Sequence, residues 1–167
     1  MLAIPPVSAT ESMSSDVESL LQDLQDPDSN IRQVATEALW RRWYTQKGAY
    51  GAQILVRSQT LFDKGEAAEA EALLTETVEG MPDFAEAWNR RAVLYYMQKR
   101  FWPAIADCEK ALNLVPYHFG ALHGIGLCHA SLGNHMAAIQ AFRRALKVQP
   151  YATINERLIL ECTAKLS

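Results

Sequence analysis

Pro82, Pro116 and Pro150 follow one another at a constant interval of 34 residues, and no other feature restricts the fold of this chain as strongly. A fixed interval of that size marks one structural unit written several times. Counting back from each proline defines three units, 51–84, 85–118 and 119–152. Inside each, apolar residues recur at helical spacing in two stretches. In the middle unit these run from about Ala85 to Gln98 and from about Trp102 to Leu114; Gly65 marks the break in the first unit, Gly133 and Asn134 in the third. Each unit is therefore expected to be a helical hairpin, closed by a proline that cannot continue a helix.

The offsets shared between units have a packing reason. Where two helices cross closely, one backbone must approach another, and only small residues allow it. Ser58, Ala92 and Gly126 hold that place on the first helices, and Ala70, Ala104 and Ala138 on the second. Ile54, Trp88 and Leu122 fill the space beside them, while Leu74, Cys108 and Phe142 face the next hairpin. A single hairpin cannot hide both of its apolar stripes, so neighbours must stack.

These residues resemble the tetratricopeptide repeat, whose pattern is W-x2-L-G-x2-Y, then A-x3-F, then P. Trp88, Ala92, Tyr95, Ala104 and Pro116 meet it, as do Gly126, Ala138, Phe142 and Pro150. The resemblance covers 51–152 as three repeats. It implies an all-α fold, a right-handed α-α superhelix of helical hairpins with about nine helices. Some places depart from the pattern: Arg57 and Arg91 replace leucine, His129 tyrosine, Cys108 phenylalanine and Thr77 alanine. The arginine stems are expected to cover apolar surface while their heads reach water.

The flanks read differently. Residues 1–14 lack a basic start and a long apolar stretch, and are expected to be a disordered arm rather than a secretory signal. Ser15 with Glu18 three residues later is a capping signature, opening a helix through Val17, Leu20, Leu21 and Leu24. Asp26-Pro27-Asp28 breaks it, and Ile31, Val34, Ala35, Ala38 and Leu39 begin another. Residues 15–48 thus resemble a single HEAT-type helical hairpin packed on the array, with Trp40, Trp43 and Tyr44 docking on the first repeat. After the array, 153–167 reads as an amphipathic helix. It either caps the last repeat, as solenoid ends require, or folds into the groove or swaps with another copy.

Charge and chemistry narrow the function. The net charge is -3, but up to Phe84 there are 14 acidic and 6 basic residues, and from Ala85 onward 5 and 10. The chain therefore has an acidic and a basic end, and nothing favours nucleic acid or membrane insertion. Cys108, Cys128 and Cys162 form no spaced framework, so buried reduced thiols are expected. The place implied is intracellular, cytoplasmic or organellar; the style of repeat resembles that of short bacterial and plastid proteins. His118, His123, His129 and His135 fall at different repeat positions, which disfavours a metal. Cys128 and His129 point about 100° apart on one helix and cannot act as nucleophile and base. No phosphate loop or hydrolase motif is present, so neither catalysis nor a cofactor is expected.

The resemblance implies that the first helix of each repeat lines a concave groove. The expected partner-binding residues are Leu55, Gln59, Phe62, Asn89, Arg90, Val93, Tyr96, Met97, His123 and Leu127. Family members that clamp an acidic chaperone tail use lysines, asparagines and an arginine there. This chain has Leu55, Gln59, Arg90, Gly120 and Gly124 instead. Arg90 is expected to fix a carboxylate or backbone carbonyl, and the apolar residues to anchor a peptide or helical segment. The expected role is a noncatalytic protein-protein interaction module, adaptor or scaffold, acting as a monomer or weak homo-oligomer. The alternative is self-assembly through the oppositely charged ends.

Overall fold

The structure, a computed structural model, describes residues 9–167. Its described residues form nine helices and no strand: α1 Ala9–Asp23, α2 Ser29–Tyr44, α3 Gly48–Asp63, α4 Ala67–Gly80, α5 Ala85–Met97, α6 Phe101–Leu114, α7 Phe119–Ser131, α8 His135–Val148 and α9 Thr153–Ala164. The chain divides into two compact units, one up to Arg41 and one from Arg42 onward. The arm expected at 1–14 lies outside the described residues up to position 8, and α1 already begins at Ala9 rather than at Ser15.

In the first unit the break between α1 and α2 is held by short side chains bonding nearby backbone. Asp26 accepts from the Asp28 amide and Asp28 from the Asn30 amide at the start of α2, each at 2.8 Å. Arg32 closes the turn from the other side by donating to the carbonyls of Asp26 and Pro27. The apolar stripe of α2 is narrower than its composition suggests. Ala35 and Leu39 are buried, whereas Ile31 and Val34 are exposed.

The second unit shows why an interval of 34 residues repeats. The first helix of every hairpin ends in the same bond pattern: the amides of Glu66, Arg100 and Asn134 donate to the carbonyls of Leu61, Tyr95 and His129 at 2.8 to 2.9 Å. This is a Schellman closure, and it needs a left-handed residue just past the helix. Gly65 (φ 82°), Lys99 (φ 60°) and Gly133 (φ 78°) supply it. Lysine in that conformation costs about 1–2 kcal/mol relative to glycine, so the surrounding hairpin imposes it. The second helices also end alike, with the amides of Met81, Val115 and Gln149 bonding Thr77, Ala111 and Ala145. Each proline stands immediately after one of these caps.

Packing follows the small residues. A Cβ placed on Gly126 would collide with the buried ring of Phe142, so only glycine lets α7 lie this close to α8. Gly124 faces the Cys108 sulfur, which makes its small size a matter of helix contact within the array. The central cluster joins Leu74, Tyr95, Ile105, Cys108, Leu122 and Ile125 across neighbouring hairpins. At the far end Leu158, Ile159 and Cys162 of α9 pack with Ala138, Ile139 and Phe142 of α8. None of the helices formed by the described residues is long and apolar enough to cross a membrane.

Arg91 departs from its expectation. Its side chain is only 14% exposed, and Nε and Nη2 meet Asp107 Oδ2 and Oδ1 at 2.7 and 2.9 Å. Its guanidinium also lies over the rings of Trp88 and Tyr95. The sequence reading missed Asp107, because sixteen positions separate the partners and they meet only when α5 and α6 fold together.

Candidate functional site

The first helices of the first two hairpins, α3 and α5, stand side by side with a cleft of about 320 Å³ between them. Of the ten residues expected in the groove, Gln59, Phe62, Arg90, Val93 and Met97 line it, joined by Ser58, Asp63, Leu74 and Leu94. They meet because positions 59, 62 and 63 of α3 and 90, 93 and 97 of α5 share a helix face. Val93 is 46% and Met97 58% exposed, so the cleft wall offers apolar side chains to solvent. A larger depression of about 570 Å³ lies between α3 and α4, lined by Tyr50, Ile54, Arg57 and Met81 among others, none of them among the expected groove residues.

Of the other five expected residues, Leu55 and Asn89 are buried, and Tyr96, His123 and Leu127 are half-buried. Leu55 is 0% exposed and packs with Val78, Phe84 and Ala87, with Tyr44 laid against the cluster. Asn89 is buried and turns its amide toward Glu86. Tyr96 packs on the central cluster with its ring 5.7 Å from that of Phe101. His123 is held by Asn155 of α9 at 2.7 Å, and Leu127 packs on the cluster that α9 completes. Tyr44 and residues of α9 thus add cover at Leu55, His123 and Leu127, whereas Asn89 and Tyr96 are covered from within the repeats.

Trp43 and Tyr44 pack against residues of the repeats. Trp43 is buried and stacks on His118, ring centroids 4.1 Å apart, with Phe119 at 4.9 Å. The aromatic end of α2 thus reaches beyond the first repeat, on which it was expected to dock, to the junction of the second and third. Tyr44 lies under the guanidinium of Arg90 at 5.0 Å.

Beneath these rings lies a buried polar network that the sequence reading missed. Glu86 has no exposed surface, yet it carries a carboxylate. Arg90 Nε donates to its Oε1 at 2.8 Å, and His118 Nε2 lies 2.9 Å from its Oε2. The Ala121 amide donates to His118 Nδ1 at 3.1 Å. That nitrogen must therefore be bare, which places the imidazole proton on Nε2, pointing at Glu86. The ion pair with Arg90 lets the carboxylate stay buried. Arg90 is thus already engaged, and does not present the free cation expected of it. One signal was available in the sequence: a glutamate in the first turn of a repeat helix, four residues before an arginine.

Burial pushes the Cys128 thiol up to about 11 and that of Cys108 higher still, so neither is a thiolate at neutral pH. His129 meets the edge of Trp102 rather than Cys128. The described residues contain no group of three or more His, Cys, Asp or Glu placed to hold a metal ion.

Residues 85–118 and 119–151 each match the tetratricopeptide repeat family. A TPR repeat-containing protein of Rhizobium etli is 38% identical over 77 residues, 46% of this chain and 38% of that protein. DnaJ homolog subfamily C member 7 of Mus musculus is 34% identical over 80 residues, 48% of this chain and 16% of that protein. The chain thus spans well under half the length of either relative. Among solved structures, the first TPR of Spaghetti (RPAP3), bound to the HSP90 peptide SRMEEVD, superposes with a TM-score of 0.66 at 21% identity, covering 69% of this chain and 91% of that one.

Proposed function

We propose, from the premise that residues 85–151 are tetratricopeptide repeats, that this protein is a noncatalytic interaction module holding a segment of another protein in the cleft between α3 and α5. One observation carries the reading: Phe62, Val93 and Met97 gather around one cleft between α3 and α5, with Val93 and Met97 exposed. Apolar side chains grouped around a concave surface favour a partner that covers them. The structure superposed on it holds a peptide, which supports the same use here.

The test places a charge in the cleft. Val93→Glu with Met97→Glu should abolish capture of the partners that the wild-type chain retains from its own cell extract, a loss of roughly tenfold or more for two apolar anchors. Gln140→Glu, at an exposed position on α8, should retain them. An unchanged partner set in the double variant would end the reading.

A second reading, self-association, is favoured by one observation. Glu69, Glu76 and Glu79 are exposed on α4, whereas Arg143, Arg144 and Lys147 are exposed on α8. Contact between such surfaces weakens with salt, so light scattering at low ionic strength decides. A monomer mass there removes this reading.

A further inference from the structure

The cleft has its own electrostatic preference, and Glu86 sets it. Arg90, the cleft's one lining cation, bonds Glu86 through Nε and lies over Tyr44. Its Nη1 reaches Gln59 at 3.5 Å. Asn89 directs its amide to the two Glu86 oxygens at 3.4 Å each. His118 closes the far side of the carboxylate at 2.9 Å, with Trp43 stacked on its ring. Arg90 Nε and the Asn89 amide are therefore committed to an internal carboxylate, and the charge of Arg90 is offset by it.

The balance left on the surface is negative. Asp63 is exposed on the cleft wall and receives only the neutral amide of Gln59, at 2.8 Å. Asp63 therefore carries the charge that Arg90 and Glu86, cancelling each other, leave behind. An acidic segment would meet Asp63 and would have to compete with Glu86 for Arg90. Drawing Arg90 away would leave a buried carboxylate without its cation, which is strongly unfavourable. A segment with apolar side chains and a lysine or arginine meets Phe62, Val93 and Met97 with its apolar groups and Asp63 with its charge.

Resting on the groove-binding reading, we infer that the α3–α5 cleft selects apolar segments bearing a basic residue and rejects acidic C-terminal tails, with Glu86 as the specificity-determining residue. Exclusion by the internal carboxylate is the repulsive half of that selectivity. It sets this chain apart from the superposed domain, whose peptide ends in Glu-Glu-Val-Asp.

Two fluorescein-labelled probes test it on the full chain by anisotropy: SRMEEVD with a free C-terminus, and an amidated amphipathic peptide of leucine, methionine and lysine. The wild type should bind the amidated peptide at least about tenfold more tightly than SRMEEVD. Glu86→Gln releases Arg90 and should narrow that ratio by about tenfold. Asp63→Asn, at an exposed position where folding is not at stake, should narrow it by about two- to fivefold. Wild-type protein that prefers SRMEEVD, or binds neither probe, would overturn the inference. So would a ratio left unmoved by both variants. Preference for SRMEEVD would still leave the groove as a binding site, whereas unchanged capture by the Val93→Glu, Met97→Glu variant would remove the groove itself.

Discussion

Trp43→Ala should lower the unfolding free energy by about 3–5 kcal/mol, the range for truncating a buried tryptophan. Trp43 keeps 3% of its surface, stacks on His118 within 18° of parallel, and touches the ring of Phe119. Its removal takes away more than apolar area. It also removes the ring stacked on His118, which holds the buried Glu86 carboxylate at 2.9 Å. Against a total stability of about 5–15 kcal/mol for a domain, the urea midpoint should fall well outside experimental error. Trp43→Phe should recover about half of the loss, because a smaller ring still stacks. A loss below about 1 kcal/mol would show that the end of α2 is not part of the folded array.

The second large effect concerns Arg91. Asp107→Ala should cost about 3–5 kcal/mol, because it strands a guanidinium whose side chain is only 14% exposed. Burial opposes the charged form of Arg91, but the bond to Asp107 outweighs it and holds the guanidinium above its ordinary range. Without Asp107 that support is gone, and an arginine is too basic to relieve its loss of partner by shedding a proton. Thr75 and the rings of Trp88 and Tyr95 give partial compensation. The double variant Arg91→Leu, Asp107→Leu should regain most of the loss, since apolar residues of similar volume replace buried pairs at little cost. Thermal unfolding of the wild type and the two variants supplies the comparison. Equal destabilisation in the single and double variants would mean that shape, not charge, is what α5 and α6 require.

Much of the fold was legible because its causes are local. The prolines and Gly65 and Gly133 announce hairpins, since each satisfies a requirement of its own backbone. Lys99 hides the same left-handed turn, as nothing in a lysine asks for it; only the interval from its neighbours gives it away. Half of the candidate site was legible for the same reason: Gln59, Phe62, Arg90, Val93 and Met97 follow from helical periodicity once the first helices are known to line the inner wall. Leu55, Asn89, Tyr96, His123 and Leu127 share that periodicity and yet are covered.

The difference lies in distance along the chain. The period, the caps and the small residues at crossings determined a stack of helical hairpins, because those features act within one or two turns. Which inner-wall residues remain open was decided by groups that arrive from elsewhere: Tyr44 over Leu55, Asn155 on His123, and His118 on a glutamate 32 residues earlier. A side chain's helical face is a property of its neighbours in sequence. Its solvent exposure and its available charge belong to whatever packs against it, and they exist only once the chain has folded.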